Sequence, residues 1–67
     1  GQLHINPFIP DGWKSYSFRL NFREAHLEFS IDRTLIKVFN HSKASIEIFV
    51  HGKQYQIPAK KEVNIKN

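Results

Sequence analysis

A chain of 67 residues is long enough for one small domain and no more. The sequence contains no cysteine, which excludes a disulfide framework and any zinc site of the cysteine type, and which fits a reducing cytosol. The formal charge of +4 comes from basic residues that are scattered along the chain. Scattered charge is typical of a solvated surface, whereas a nucleic-acid footprint is usually clustered on one face.

Residues 1–13 are predicted to form an extended arm. Pro7 and Pro10 fix the backbone φ angle on either side of Phe8 and Ile9, so this segment cannot be a helix or a central strand. The arm therefore carries bulky apolar side chains to a defined place on the domain.

Residues 14–67 are predicted to form a β-sandwich. Apolar and polar residues alternate in several separate segments, which is the period of a strand with one buried face. The predicted strands are 14–22, 26–31, 34–40, 45–50, 54–57 and 62–65. Five to seven short strands separated by turn residues are typical of an all-β fold, here a small two-layer antiparallel β-sandwich with a jelly-roll-like arrangement.

The predicted core consists of the inward-facing residues of these strands. Segment 34–40 has apolar residues for both faces, so we expect it to be covered on both sides. The expected core residues are Phe18, Leu20, Phe22, Leu27, Phe29, Ile31, Val38, Ile46, Ile48 and Val50.

The histidines and acidic residues of this sequence do not show the spacing of a catalytic or metal-binding site. The histidines are widely separated and lack the spacing of metal ligands. Glu28 and Glu47 can be neighbours on a polar sheet face, but outward glutamates on strands usually face water. We therefore predict no catalytic, cofactor-binding or metal-binding residues, and no cofactor.

The order of arm, tryptophan and alternating strands resembles the C-terminal β domain of glycoside hydrolase family 65, the maltose, trehalose and kojibiose phosphorylases. The resemblance spans residues 3–57 and is most specific between Ile5 and Trp13. The family pattern Leu-x-Ile-Asn-Pro-x-x-Pro-x-x-Trp is matched here by Leu3, Ile5, Asn6, Pro7, Pro10 and Trp13, and the strand pattern that follows it by Phe18-Arg19 and Phe22-Arg23.

This resemblance implies a non-catalytic C-terminal structural domain that braces the catalytic (α/α)6 barrel of a longer cytoplasmic enzyme. The implied parent reaction is inverting phosphorolysis of an α-glucosyl disaccharide such as maltose to β-glucose 1-phosphate and glucose, although hydrolases also belong to the family. The family's catalytic glutamate and phosphate site lie in the barrel, so no catalytic residue maps onto this chain. The absence of methionine agrees with the expectation of a C-terminal fragment.

Several large apolar residues are predicted to serve in domain docking. Phe8, Ile9, Trp13 and Phe49 are too many to leave in water on so small a domain, so we expect them to contact the barrel or to cause self-association of the isolated chain. Two other functions stay open on the residues alone. Exposed aromatic rings also suit a carbohydrate-binding β-sandwich module, and aromatic residues interleaved with basic ones occur on nucleic-acid-binding β-barrels. Neither a nucleic-acid nor a membrane partner is expected.

Overall fold

The computed structural model describes residues 2–67 as an all-β fold without a helix. The strands are β1 (Leu3–Ile5), β2 (Ser15–Phe22), β3 (Ala25–Asp32), β4 (Leu35–Asn40), β5 (Ile46–Val50), β6 (Lys53–Ile57) and β7 (Glu62–Lys66). They form a three-stranded sheet of order β1-β5-β6 and a four-stranded sheet of order β2-β3-β4-β7. The predicted small β-sandwich is therefore confirmed.

The strands from β2 onwards differ from their predicted bounds by at most one residue at each end. The structure adds a strand inside the arm, because Leu3–Ile5 pairs in parallel with β5, Ile5 lying opposite Val50. Strand β1 is an edge strand, and it ends before Pro7 removes a backbone donor from the chain. All other strand pairs are antiparallel.

The core lies between the two sheets and is centred on β3, β4 and β5. Its fully buried apolar residues are Leu27, Phe29, Ile31, Ile36, Val38, Ile48, Val50, Ile57 and Ile65. The prediction that Phe18 is a core residue is wrong, since 36% of its surface is exposed. Phe18 lies on β2, which is an edge strand, and the facing sheet has one strand fewer.

Strand β4 has apolar residues on both faces, as predicted, but only its inner face is covered. Ile36 and Val38 are buried in the core, whereas Leu35 and Phe39 on the outer face are half-buried. Within residues 2–67 no third layer lies over that outer face, where the Phe39 ring contacts the His41 ring at 4.5 Å between centroids. The expected cover on both sides is therefore not present in the described part of the chain.

Three connections join the two sheets: residues 41–45 link the inner strands β4 and β5, and the other two link edge strands at opposite sides of the sandwich. Residues 58–61 link the edge strands β6 and β7, and residues 6–14 of the arm link the edge strands β1 and β2. The free edges of β1 and β2 therefore border the same side of the molecule. Gln2 beside β1 and Phe22 on β2 line one common cleft, in agreement with this arrangement.

Candidate functional site

The exposed large apolar side chains of the described residues lie on strand β2 and on the arm that precedes it. Phe8 is 72% exposed, Trp13 54% and Phe18 36%. Trp13, Tyr16 and Phe18 form an aromatic row, with ring centroids 6.2 Å apart for the first pair and 6.1 Å for the second. The row continues into the core, because the Phe18 ring stacks on the Phe29 ring at 4.9 Å.

The arm holds Phe8 outward by anchoring its neighbours on both sides. Pro7 is buried and Ile9 packs against the core. Successive side chains of an extended segment point in opposite directions, so Phe8 between these two anchors points into solvent. The exposure of Phe8 thus follows from how the arm is fastened to the sandwich.

Trp13 is held in place by a turn that is itself fastened to the sandwich. The turn closes with a hydrogen bond of 3.1 Å from the Trp13 N–H to the Pro10 carbonyl, and Gly12 supplies the required positive φ of 89°. Arg33, between β3 and β4, donates from Nη2 to the carbonyl oxygens of Pro10 and Trp13 at 3.4 and 3.3 Å. The backbone that carries the exposed indole ring is therefore anchored to the sandwich.

The four residues predicted for docking differ in exposure. Phe8 and Trp13 are exposed, whereas Ile9 is half-buried as an anchor of the arm. Phe49 is half-buried on the outer face of the three-stranded sheet, where its ring stacks on His4 at 4.7 Å. Phe18 belongs to the exposed apolar surface but was missed, because its alternating pattern is the same as that of a buried strand.

Glu28 is the centre of a polar cluster on the outer face of the four-stranded sheet. His41 Nε2 lies 2.8 Å from Glu28 Oε1, and Arg19 Nε lies 3.9 Å from the same oxygen. The hydrogen bond with His41 is the main cause that lowers the pKa of Glu28, and the charge of Arg19 adds to it. Glu47 lies on strand β5 of the other sheet, so the two glutamates are not neighbours.

The histidines have separate partners. His26 Nδ1 lies 2.6 Å from Asn21 Oδ1, and His51 Nε2 lies 2.9 Å from Asn67 Oδ1. Among residues 2–67 no three His, Cys, Asp or Glu side chains are placed so that they could hold a metal ion.

That part of the chain also has no helix long and apolar enough to cross a membrane.

A cleft of about 710 Å³ opens at one end of the sandwich, between the β2–β3 turn and the β4–β5 loop. Asn40, which is fully buried, holds this loop in place. Its Nδ2 donates to the carbonyl oxygens of Ala44 at 2.9 Å and Ile57 at 3.1 Å, and its Oδ1 accepts from the Ser42 N–H at 2.8 Å. The cleft is thus bordered by a loop of defined shape.

The family model described as "Glycosyl hydrolase family 65, C-terminal domain" matches residues 1–57. A solved structure named "Putative kojibiose phosphorylase from human microbiome" has the same fold, with a TM-score of 0.88 and 24% sequence identity. The match covers 98% of this chain but only 8% of the solved one. A search of curated proteins found no match. Because the family model covers most of its length, the chain belongs to glycosyl hydrolase family 65, as a C-terminal domain.

Proposed function

We propose that this chain is a non-catalytic structural domain that docks on the catalytic (α/α)6 barrel of a longer, cytoplasmic disaccharide phosphorylase. The proposed parent reaction is inverting phosphorolysis of an α-glucosyl disaccharide such as maltose. One observation carries the docking proposal: Phe8 and Trp13 are large and exposed, and the arm and turn that carry them are anchored to the sandwich.

Exposed aromatic side chains on an anchored backbone are well suited to an interface. Burying apolar surface stabilises by roughly 25 cal/mol per Å². Little conformational entropy is lost when the side chains already sit on an anchored backbone. Tryptophan is also enriched among the residues that contribute most to protein interfaces. Trp13 is therefore expected to be the main anchor of the docked domain, with Phe8 beside it on the arm.

The polar groups of the domain support a structural role. Glycoside cleavage uses a carboxylic acid whose pKa is raised, so that it can protonate the leaving group. The pKa of Glu28 is instead lowered by His41 and Arg19, which keeps this carboxyl group ionised. Glu47 lies on the other sheet and supplies no second carboxyl group beside it.

The docking proposal is tested in the longer enzyme by the double substitution Phe8→Ser and Trp13→Ser. We expect the thermal midpoint of the whole enzyme to fall, while kcat/KM of the enzyme that stays folded is unchanged. Lys14→Ser is the matched control, since Lys14 is an exposed neighbour without an apolar ring. The same double substitution in the 67-residue chain should have little effect on stability. Equal effects in the chain and in the enzyme would contradict docking.

Two measurements on the 67-residue chain separate this proposal from its alternatives. Incubation with maltose and inorganic phosphate should release no glucose 1-phosphate above a heat-inactivated control. Titration with maltose should leave the fluorescence of Trp13 unchanged, whereas a saturable change would favour a carbohydrate-binding module. In sedimentation, the uncovered surface should produce concentration-dependent dimers that Trp13→Ser weakens.

A further inference from the structure

The two layers of the sandwich differ in width. Four strands of one sheet face three strands of the other. The effect is seen at a single cross-strand pair on the inner face, where Phe29 of β3 is fully buried and Phe18 of β2, directly opposite it, is 36% exposed. Phe18 therefore lacks the cover that Phe29 has, while Tyr16 and Leu20 on the same face of β2 are half-buried.

The missing cover lies beside strand β1. Strand β1 is at the edge of the three-stranded sheet, and its side chains Leu3 and Ile5 pack against the core. The arm joins β1 to β2, the edge strands on this side of the sandwich, so a strand added next to β1 would extend the three-stranded sheet on the side of β2. A fourth strand in that position would lie over Phe18.

The backbone of β1 has hydrogen-bonding groups available on this side. The Ile5 carbonyl accepts a hydrogen bond of 3.0 Å from the His51 N–H, which shows that the groups of Ile5 face β5. Alternate residues of a strand direct their N–H and C=O groups to opposite sides. The N–H and C=O groups of His4 therefore point away from β5, to an edge where no strand pairs within residues 2–67. Unpaired edge groups of this kind are a template for another strand.

We propose that residues immediately upstream of this chain in the longer protein form a fourth strand that pairs with β1 through His4 and covers Phe18. This inference rests on the proposed function, because a C-terminal domain has the rest of its protein upstream. Strand β1 begins at Leu3, so the upstream residues emerge beside the free edge of β1. A covalent link keeps them there at high effective concentration, and antiparallel neighbours need only a short connection.

The chemistry of this partner is specified by the face that it covers. It is an extended segment of about five residues, the usual length of a strand. Its apolar residues alternate with polar ones, so that one side rests on Phe18 and Leu20 while the other faces water. Phe8 and Trp13 lie on the arm and its turn and not on β2, so the docking proposal and the fourth strand use different side chains.

The test compares the 67-residue chain with a version extended by its own preceding 15 or so residues, about one strand and a connection. The expected result is that hydrogen exchange of the His4 amide slows by about tenfold or more, because a paired amide exchanges only when the strand opens. The denaturation midpoint should also rise. An extension of the same length with a scrambled sequence is the matched control and should change neither quantity.

Two substitutions at His4 sharpen the test. His4→Pro removes the outward N–H but leaves the bonds between β1 and β5, so the extension should no longer raise the denaturation midpoint. His4→Ala loses the same ring contact with Phe49 but keeps the N–H, so the gain should persist. If the native extension leaves exchange of the His4 amide unchanged, the fourth strand is wrong. The docking proposal would still stand if Phe8→Ser and Trp13→Ser destabilise the longer enzyme.

Discussion

Phe18 and Phe29 lie in strands with the same alternating pattern, but they differ in how far their side chains are buried. Each lies in a strand of alternating apolar and polar residues, they are cross-strand partners, and their rings stack at 4.9 Å. Phe29 is nevertheless fully buried, whereas Phe18 is 36% exposed. The difference arises from the place of each strand in the sheet, since β3 lies between two strands and β2 is at the edge. The same apolar–polar alternation therefore does not imply the same contribution of a phenylalanine side chain to the stability of the fold.

The largest expected effect is that of Phe29→Ala. Removing a fully buried phenylalanine side chain costs about 3–5 kcal/mol, because it leaves a cavity in the core. A core of this size usually supplies no more than about 3–5 kcal/mol in total, so the variant should be unfolded. Circular dichroism and chemical denaturation measure the outcome. A cooperatively folded Phe29→Ala protein would show that β3 does not carry the core.

The next effect is that of Asn40→Ala, which tests the polar part of the buried region. The substitution leaves the Ser42 N–H and the carbonyl oxygens of Ala44 and Ile57 without their partner. Only the hydrogen bond to the Ile57 carbonyl oxygen is buried, and a buried group left unpaired costs about 1–3 kcal/mol. The two part-buried groups cost less because water can reach them, so we expect a total of about 2–3 kcal/mol in the free energy of unfolding. Asn64→Ala, at an exposed position of β7, is the control and should change stability little. Similar losses for both variants would exclude a special role for Asn40.

Phe18→Ala is expected to lower the free energy of unfolding less than Phe29→Ala does. The difference between the two variants measures how much the edge position of β2 matters. Full burial of a phenylalanine side chain is worth about 1.5–3 kcal/mol, and Phe18 is covered only in part, so we expect a loss of about 1–2 kcal/mol. The variant should stay folded, and urea denaturation gives its stability. If Phe18→Ala destabilises the chain as much as Phe29→Ala, the edge position of β2 does not have the energetic consequence argued above.

The smallest effect concerns acid stability at the end of β3. Asp32 Oδ1 accepts hydrogen bonds from the backbone N–H groups of Thr34 at 2.8 Å and Leu35 at 2.7 Å, and these bonds lower the pKa of Asp32. A lowered pKa in the folded state gives stability that is present above the carboxyl's ordinary pKa and is lost as the pH falls through the folded value.

Denaturation midpoints measured from neutral to acidic pH check this sign. In Asp32→Asn the denaturation midpoint should fall slightly less steeply as the pH is lowered, because the variant has no carboxyl group at this position to titrate. A denaturation midpoint that falls more steeply with acid in Asp32→Asn would contradict a stabilising role of the Asp32 carboxylate.

The candidate site was predictable from the sequence only in part. Prolines on either side of Phe8 predicted an extended arm, and both Phe8 and Trp13 are exposed there. Phe49 interrupts the alternating pattern of β5, but that pattern does not reveal the stacking on His4 across the parallel β1–β5 pair. Phe18 was assigned to the core, since its pattern does not show that the opposite layer is narrower.

The sequence by itself determined the strands and turns of this protein, because alternation and turn residues act over a few neighbouring positions. Strands β2 and β3 follow from alternation alone, and the turn before Trp13 follows from Pro10 and Gly12. Only the tertiary structure decided which strands are edges, and hence which apolar faces are covered. Burial depends on the strand that lies opposite, and that strand is chosen by pairing between distant parts of the chain, as when β1 joins β5.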